Sequence, residues 1–233
     1  MPEHPVVAPD EWVAARRELL VREKELTRLT DELTRQRMAL PWTRVEQDYV
    51  FATEDGPRTL AELFDGRSQL LVYHFMFGPD WEAGCESCSF AADEFARGIV
   101  HLNARDVTMV CVSRAPIEKL AAYRRRMGWD FTWASAHDTT FNFDFGVSFT
   151  PEQQAGEAPA EYNFRPVAKP GDEAPGLSAF VLDDGVVYRT YSTFGRGLEP
   201  AIDIVYALLD RVSKGRDESD GDDWIRRRDE YAA

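Results

Sequence analysis

Two cysteines separated by two residues are the residues of this sequence best suited to chemistry. Cys85 and Cys88 follow residues 70–77, an apolar run typical of a buried strand, and precede residues 89–102, whose apolar positions recur at helical spacing. A CxxC pair at a strand-to-helix junction is typical of thiol redox proteins. The free N–H groups at a helix N-terminus stabilise a thiolate, the reactive form of cysteine. We therefore expect Cys85 to be the nucleophile and Cys88, one turn further along, to be the resolving cysteine.

Three other roles compete with redox chemistry for the CxxC pair. A structural zinc site needs further Cys or His ligands, and the remaining cysteine, Cys111, lies inside another apolar run. A structural disulfide is disfavoured because closing so short a loop constrains the unfolded chain little. The third alternative is two unrelated buried thiols. Redox chemistry is favoured over all three, and Cys111 is interpreted as a core residue.

The composition is that of a globular protein with a substantial core. The chain has 233 residues, of which 44% are hydrophobic and 12% aromatic, and its formal net charge is −14. Nucleic acid and anionic membrane surfaces are not expected partners, because both need clustered Lys and Arg. No apolar run approaches the roughly 20 residues that span a bilayer, and the first residues lack a secretion signal. We therefore expect a cytoplasmic protein with no membrane partner and no cofactor, and the few cysteines fit a reducing compartment.

Residues 1–40 are predicted to form a helical extension. Asp10 is a suitable N-cap and Pro41 a terminator, so a helix is expected over residues 10–38. This helix of about 45 Å carries one apolar stripe, which must cover either its own domain or a second copy of the chain. A homodimer through this helix is therefore a candidate assembly. The stripe recurs every seven residues, at Trp12, Leu19, Leu26, Leu33 and Leu40.

The rest of the chain divides into a main domain at residues 41–212 and a charged tail at residues 213–233, which is expected to be solvated. Within the domain, residues 150–176 contain five prolines and several acids, which predicts a long irregular loop. Residues 129–149 carry too many aromatic side chains for solvent exposure. Some of these are expected to wall a pocket or an interface.

The order of the predicted elements is that of a thioredoxin-like fold. After the strand and helix that flank the CxxC motif come a second buried strand, a helix, an antiparallel hairpin and a final helix. We therefore predict an α/β protein with a thioredoxin-like three-layer fold and a mixed central sheet, plus the long N-terminal helix. The second strand is expected at residues 106–113, the next helix at 116–127, the hairpin at 177–191 and the final helix at 199–211. Before the central strand, a hairpin turn is expected at 54–56 and a capping box at 59–62.

Several motifs resemble the bacterial domain-of-unknown-function-899 family, and the resemblance covers the chain from about residue 10. It implies a thioredoxin-like fold and dithiol-disulfide oxidoreductase activity. The implied partners are a protein or small-molecule disulfide and a thiol reductant. The motifs include Leu40-Pro41-Trp42, Tyr73 to Trp81, Gly84-Cys85 to Cys88-Ser89, His101 to Asp106 and Trp224 to Tyr231.

Five further residues are expected to bind substrate. Asp80 and Trp81 lie shortly before the thiols. Arg114 follows the second predicted strand and Arg196 follows the hairpin, and ligands of open α/β sheets bind beyond the carboxyl ends of strands. Pro175 lies near the place of the cis-proline that shapes the substrate groove in thioredoxins. It is, however, further from the hairpin turn than that pattern requires.

Two other functions would use the same cysteines. A peroxide reductase would use Cys85 as its peroxidatic thiolate, but Glu82 replaces the threonine that peroxiredoxins carry before this cysteine, and a carboxylate there would repel the thiolate. A metal-binding protein, with copper as the candidate metal, would use Cys85, Cys88 and His74. His137 is a further candidate ligand. Thiol–disulfide exchange is favoured over both, and no metal is expected.

Overall fold

The apolar run before the CxxC motif forms a central strand of an eight-stranded mixed sheet in the computed structural model, which describes residues 4–218 and 224–231. The sheet order is β1-β10-β9-β4-β5-β6-β2-β3, and β7 pairs with β8 in a separate small sheet. The ranges are β1 (Thr43–Arg44), β2 (Val50–Thr53), β3 (Gly56–Thr59), β4 (Gln69–His74), β5 (Val107–Ser113), β6 (Trp133–Ser135), β7 (Glu161–Tyr162), β8 (Arg165–Pro166), β9 (Gly176–Asp183) and β10 (Val186–Phe194).

Helices cover both faces of this sheet. Cys88, Leu120 and Ile202 belong to one hydrophobic core, which places three helices on one face, and Phe141 belongs to the core on the other face. The helices of the described residues are α1 (Pro9–Met38), α2 (Glu86–Phe95), α3 (Ile99–Asn103), α4 (Ile117–Met127), α5 (Phe141–Asp144), α6 (Pro151–Ala155), α7 (Glu199–Ile202) and α8 (Ile204–Leu209). Thus α2, α4 and α7 lie opposite α5, and the molecule has three layers.

The strand connections are those of the predicted fold. β4 pairs in parallel with β5 on one side and antiparallel with β9 on the other. β10 then pairs antiparallel with β9. The order β10-β9-β4-β5, with α2 between the two parallel strands, is the thioredoxin-like arrangement, and β6, β2 and β3 extend the sheet beyond β5. The predicted fold class is therefore confirmed.

Two predicted local motifs have the expected chemistry. The β9–β10 hairpin turns at Asp184 and Gly185, both with positive φ (47° and 77°), as the tight turns of hairpins require. The Glu62 carboxylate accepts the Thr59 N–H at 2.7 Å, and the Thr59 hydroxyl accepts the Glu62 N–H at 3.2 Å. This is the predicted capping box, although the element it begins is only a short 3-10 turn, Glu62–Phe64.

Two predicted helix limits are wrong. α1 begins at Pro9 with Ala8 as its N-cap, so Asp10 lies in the first turn and not at the cap. Proline is favoured at that first position, and the Asp10 charge still complements the helix dipole. The final helix predicted over 199–211 is broken at Asp203 (φ −113°, ψ 82°), which separates α7 from α8.

Residues 150–176 contain more regular structure than predicted. Thr150 caps α6, its hydroxyl accepting the Gln153 N–H, and Pro151 occupies the first helical turn. β7 and β8 then pair antiparallel. The prediction of an irregular loop is therefore wrong for these elements, because a proline at a helix start supports the helix instead of breaking it, and the rest of the segment is irregular.

The aromatic residues of 129–149 fill the two cores and do not wall the cavity described below. Trp129 and Trp133 pack with Phe75 on one face of the sheet, with ring centroids 6.0 and 4.6 Å from that of Phe75. Phe141 and Phe145 pack together on the other face, 4.4 Å apart. They therefore do not line the cavity beside the cysteines, and an interface role for some of them stays a prediction.

The helix α1 does not cover its own domain. It has 30 residues and none of them is buried. Its apolar stripe is exposed, with Trp12 58% and Leu26 63% accessible. Of the two roles expected for the stripe, packing on the domain is therefore wrong, and contact with a second copy stays a prediction. Within residues 4–218 and 224–231, no helix combines the length and the apolar character needed to cross a membrane.

The C-terminal segment, residues 224–231, packs on the domain. Ile225 is buried, and the Trp224 ring lies edge-on to Phe90 of α2, with centroids 5.7 Å apart. The expectation of a solvated tail is wrong for this segment. Residues 219–223 of the same predicted tail lie outside the described residues.

Candidate active site

Cys85 lies at the N-terminus of α2, where the chain returns to the end of β4. It is the N-cap residue, and its N–H donates to the Met76 carbonyl at 3.0 Å. Its own carbonyl accepts the N–H of Ser89 at 2.9 Å and the hydroxyl of Ser89 at 2.7 Å. These bonds hold the backbone on both sides of the thiol, which is partly exposed. The site therefore presents one accessible sulfur on a rigid support.

Gly84 allows the chain to approach the core just before the nucleophile. A Cβ at this position would lie 2.7 Å from a ring carbon of Phe75, so a larger residue would displace the loop. The Gly84 carbonyl accepts two bonds from the Arg227 guanidinium, at 2.8 and 3.1 Å. Arg227 also pairs with Glu86 at 3.3 Å. The C-terminal segment therefore helps to position Cys85.

Cys88 lies in a different environment from Cys85. It is 2% exposed, and its sulfur accepts the Met76 N–H at 3.5 Å. The Tyr73 hydroxyl and the Cys85 sulfur are its other polar neighbours. Burial, and then the neighbouring Cys85 sulfur, raise the pKa of Cys88 well above its usual range, while Tyr73 and the Met76 N–H act in the opposite direction. Cys88 is therefore a protonated thiol at neutral pH.

Because the two thiols differ in exposure and in pKa, they are suited to different steps of one reaction. An accessible sulfur can attack a substrate, and a buried one in contact with it can attack it in turn. Once Cys85 is in a mixed disulfide it carries no charge, and part of the cause of the raised pKa of Cys88 is removed. Burial still opposes ionisation, but deprotonation of Cys88 is less unfavourable at the step that needs its thiolate.

A cavity of about 540 Å³ lies directly beside the two cysteines. This volume is in the range of small-molecule sites. Pro175 and Gly195 lie at the cavity on the side of the β9–β10 hairpin. Its apolar walls come from β4, α2, the α7–α8 region and the C-terminal segment, namely Tyr73, Met76, Phe90, Ala91, Leu198, Ile202, Tyr206 and Ile225.

Charged side chains also line the cavity. Arg196 pairs with Glu199 at 2.9 Å, and Arg216 pairs with Asp210 at 2.8 Å. Burial, and then neighbouring carboxylates, raise the pKa of Asp203 to about 6. The charged residues of the lining are Arg196, Glu199, Asp203, Arg216 and Glu218. Carboxylates therefore outnumber the arginines, and both arginines already have carboxylate partners.

Two of the five residues predicted to bind substrate, Pro175 and Arg196, line this cavity. The Pro175 carbonyl accepts the Tyr162 hydroxyl at 2.7 Å, and the same hydroxyl accepts the Gly195 N–H at 2.8 Å. Tyr162 thus links β7 to Pro175 and to Gly195, both of which line the cavity. No peptide bond of the described residues is cis, so the Ala174–Pro175 bond is trans and does not reproduce the cis-proline of thioredoxins.

The other three predicted substrate residues do not line the cavity. The Trp81 indole donates to the Asp172 carboxylate at 2.7 Å. Asp80, beside it, is exposed. Arg114 pairs at 2.5 Å with Glu173, which is buried. These polar partners account for the positions of Trp81 and Arg114 without a substrate.

His74 lies on the opposite face of the sheet from the two cysteines. Its ring stacks on Phe141 at 5.6 Å, and its Nε2 bonds the Ser178 hydroxyl at 2.9 Å. Burial lowers the pKa of His74 to about 3, so the ring is neutral. His137 is exposed and contacts the Arg114 carbonyl at 3.1 Å. The alternative metal ligands are therefore not brought together, and no group of three or more His, Cys, Asp or Glu among the residues described could hold a metal ion.

Cys111 has no part in this site. It lies in β5, is fully buried, and pairs in register with Tyr73 of β4. Burial raises the pKa of its thiol well above the usual range. Its interpretation as a core residue is confirmed.

The residues that sequence reasoning missed come from distant parts of the chain. Tyr73 is one of several apolar residues in a buried strand, and nothing in its spacing marks it as a neighbour of Cys88. Arg227 and Ile225 lie in a segment that resembles a solvated terminus. Two signals marked this segment: Trp224 and Ile225 are large apolar residues among the charges, and Trp224 to Tyr231 is one of the motifs that carry the family resemblance.

The chain matches a family described as "Bacterial protein of unknown function (DUF899)" over residues 1–231. No curated protein matches it. Among solved structures it is similar to peroxidoxin BcpB from Mycobacterium tuberculosis, with a TM-score of 0.44 and 16% identity over 66% of this chain and 85% of that one. Peroxiredoxin Q from Xanthomonas campestris gives a TM-score of 0.47 and 12% identity over 72% and 98%. The mitochondrial 2-Cys peroxiredoxin from Plasmodium falciparum gives 0.41 and 13% over 72% and 95%.

Proposed function

The chain belongs to the bacterial family DUF899, and we propose that it is a dithiol-disulfide oxidoreductase in which Cys85 is the nucleophile and Cys88 the resolving thiol. One observation carries the proposal. A partly exposed thiol at the N-terminus of a ten-residue helix is in contact with a buried thiol whose pKa is raised by that burial. A purely structural pair of cysteines does not require such a difference in access and protonation.

The proposed reaction begins with the reduced pair. The Cys85 thiolate attacks one sulfur of a disulfide substrate, the S–S bond breaks, and the first thiolate leaves and takes up a proton. The Cys88 thiol then loses its proton to water and attacks the Cys85 sulfur, which breaks the mixed disulfide and releases the second thiol. The substrate gains two electrons and the cysteine pair loses two.

The proposal requires a second partner. The pair leaves the reaction as an intramolecular disulfide, so an external dithiol must reduce it before the next turnover. A reducing compartment such as the cytoplasm supplies dithiols of this kind. The Tyr73 hydroxyl and the Met76 N–H are placed to stabilise the Cys88 thiolate as it forms.

The test is the trapping of a mixed disulfide by single-serine variants. With 2-hydroxyethyl disulfide, Cys88→Ser should accumulate an adduct on Cys85, because no thiol remains to expel the bound half. Cys85→Ser should trap little, since Cys88 is buried. Cys111→Ser, a change at a buried thiol outside the site, is the matched control and should behave like the unaltered protein. Intact-mass measurement reads the adducts, and equal trapping by the Cys85 and Cys88 variants, or by neither, would overturn the proposal.

Hydrogen peroxide tests the peroxide-reductase alternative in the same assay. Glu82, which stands where peroxiredoxins carry threonine, is exposed. On the present proposal, the reduced pair is oxidised by a disulfide in preference to peroxide. If peroxide oxidises the pair much faster than a disulfide does, and Cys85 of the Cys88→Ser variant forms a sulfenic acid, the protein is a peroxide reductase and the proposal is wrong.

A further inference from the structure

The cavity beside the cysteines has a preformed apolar wall. Phe90 of α2 packs edge-on against Tyr206 and Trp224, with centroids 5.8 and 5.7 Å away. Ile202 and Ile225, from α7 and the C-terminal segment, are both buried and both line the cavity. Three separate parts of the chain thus meet in one apolar surface next to Cys85. A ligand that enters this space exchanges water for apolar contacts.

The size of the cavity limits what can enter it. Its volume of about 540 Å³ is that of a site for a small organic molecule. One aromatic ring or a branched alkyl group fits this space with room for a polar end. A folded protein that presents a disulfide would contact only the sulfur and the rim and would leave the apolar wall unused.

The charges at the cavity disfavour an anionic substituent. Glu199, Asp203 and Glu218 line it together with two arginines, both of which are paired with carboxylates. The Glu218 carboxylate accepts the Tyr206 hydroxyl at 2.8 Å and the Trp224 indole N–H at 2.6 Å, so it is held in place. A carboxylate on the substrate would lose hydration and gain no free cation.

We propose that the substrate of this site is a small organic disulfide with an uncharged aryl or branched alkyl substituent, which fills the cavity while one of its sulfurs meets Cys85. This inference rests on the proposed oxidoreductase function and adds its substrate class. Glutathione disulfide, which carries several carboxylates, and disulfides of folded proteins are poorer substrates. The products are two molecules of the corresponding thiol, and the two electrons come from the cysteine pair.

The first experiment measures the rate at which the reduced protein is oxidised by four disulfides. They are bis(4-hydroxymethylbenzyl) disulfide, its 4-carboxybenzyl counterpart, 2-hydroxyethyl disulfide and glutathione disulfide. Each rate is divided by the rate with free dithiothreitol, which removes differences in intrinsic reactivity. We expect the neutral benzyl compound to exceed each of the others by about tenfold or more, the usual worth of a filled apolar pocket.

Two substitutions that fill the cavity test whether it causes the preference. Leu198→Trp and the smaller change Ala91→Leu should each lower the ratio of the benzyl rate to the hydroxyethyl rate by about tenfold. Ala91→Leu keeps a good helix former in α2, so it serves if the tryptophan variant does not fold. Leu208→Trp, on the exposed side of α8, is the matched control and should leave the ratio unchanged.

A binding measurement separates failure of this inference from failure of the proposed function. Bis(4-hydroxymethylbenzyl) sulfide has the same substituents as the neutral benzyl disulfide and no S–S bond, and Cys85→Ser should bind it with a change in tryptophan fluorescence. Equal normalised rates for all four disulfides, or exchange without binding of the sulfide, would overturn the substrate class and leave the oxidoreductase function standing. Absence of exchange with every disulfide would overturn both.

Discussion

At the scale of single residues, burial decides how the three cysteines differ. Cys88 and Cys111 are both buried and both have a pKa raised by that burial, whereas Cys85 is partly exposed. Cys88 differs from Cys111 in having the Tyr73 hydroxyl and the Met76 N–H beside its sulfur. A buried thiol with such donors can form a thiolate when its neighbour no longer opposes it, and one without them stays inert.

The order of alkylation follows from these environments. Under native conditions near neutral pH, iodoacetamide should modify Cys85 at least about tenfold faster than Cys88 or Cys111, because Cys85 is accessible and burial raises the pKa of the other two thiols. Peptide mass spectrometry of timed samples reads the three rates. In a denaturant the three rates should converge. Equal native rates in a protein whose circular dichroism is unchanged would contradict the burial of Cys88 and Cys111.

The carboxyl of Asp203 makes stability depend on pH in an unusual direction. Burial raises its pKa from 3.8 to about 6, and Glu94 and Glu199 add to the effect while Arg216 opposes it. The native state therefore holds this proton more tightly than the unfolded chain. The resulting stabilisation is complete below the unfolded pKa and is lost as the pH rises through about 6.

The variant Asp203→Asn removes this dependence. The free energy of unfolding of the unaltered protein, relative to the variant, should fall between about pH 4 and about pH 7. Asp210→Asn is the matched control. The Arg216 partner lowers the pKa of Asp210, so the stabilisation from Asp210 should be lost as the pH falls through that lowered value. Urea denaturation between about pH 4 and about pH 7 should show this fall relative to Asp203→Asn and not relative to Asp210→Asn, and parallel trends for the two variants would refute the assignment.

At the scale of elements, the sequence predicts those whose signal is local. β4, β5 and α4 were predicted from apolar runs and from the proline and glycine that bound the helix, and the turn at Asp184 from its dipeptide. The α6 helix and the break at Asp203 were not predicted. A proline can start a helix as well as end one, and a single extended residue inside a helical pattern is set by the packing around it.

The candidate site divides in the same way. The two cysteines and their place at a helix start were predicted, because spacing and the preceding strand are local features. The cavity was not, since its walls join α2 to Ile202, Tyr206 and Ile225, which are far away in the chain. Such a surface depends on tertiary contacts that no spacing in one sequence reports.

The contact between the C-terminal segment and the loop before Cys85 can be tested through Arg227. Arg227→Gln loses the charged bonds to the Gly84 carbonyl and to Glu86, at a cost of about 1–3 kcal/mol in the free energy of unfolding. It should also slow mixed-disulfide formation, because Cys85 is held less firmly. Arg105→Gln makes the same charge change at an exposed side chain far from this contact in the chain and should have little effect on either measurement. Urea denaturation measures the change in stability, and the trapping assay measures the rate of mixed-disulfide formation. Equal effects of the two variants would show that only net charge matters.

At the scale of the whole molecule, α1 is an exposed amphipathic helix attached to a well-packed domain. Of its apolar residues, Trp12, Leu19, Leu26 and Leu29 are each more than half exposed, and Leu33 is 40% exposed. Ion pairs such as Arg22–Glu25, at 2.5 Å, lie along the same helix. An apolar stripe with a seven-residue repeat is the pattern by which two helices pack side by side, and contact with a second α1 would remove it from water.

We therefore predict that the protein is a homodimer through α1. Leu26→Lys combined with Leu33→Lys places charges in the stripe and should convert the dimer to a monomer, because two buried and unpaired lysines per chain would oppose association. Thr27→Lys combined with Thr34→Lys adds the same charge at the adjacent positions, where both hydroxyls bond backbone carbonyls of the preceding turn, and should leave the dimer intact. Sedimentation velocity gives the mass of each variant, and trapping by Cys88→Ser in the monomeric background shows whether the site needs the second copy. A monomeric unaltered chain at micromolar concentration would rule out this assembly, and the exposed stripe would then need a different partner.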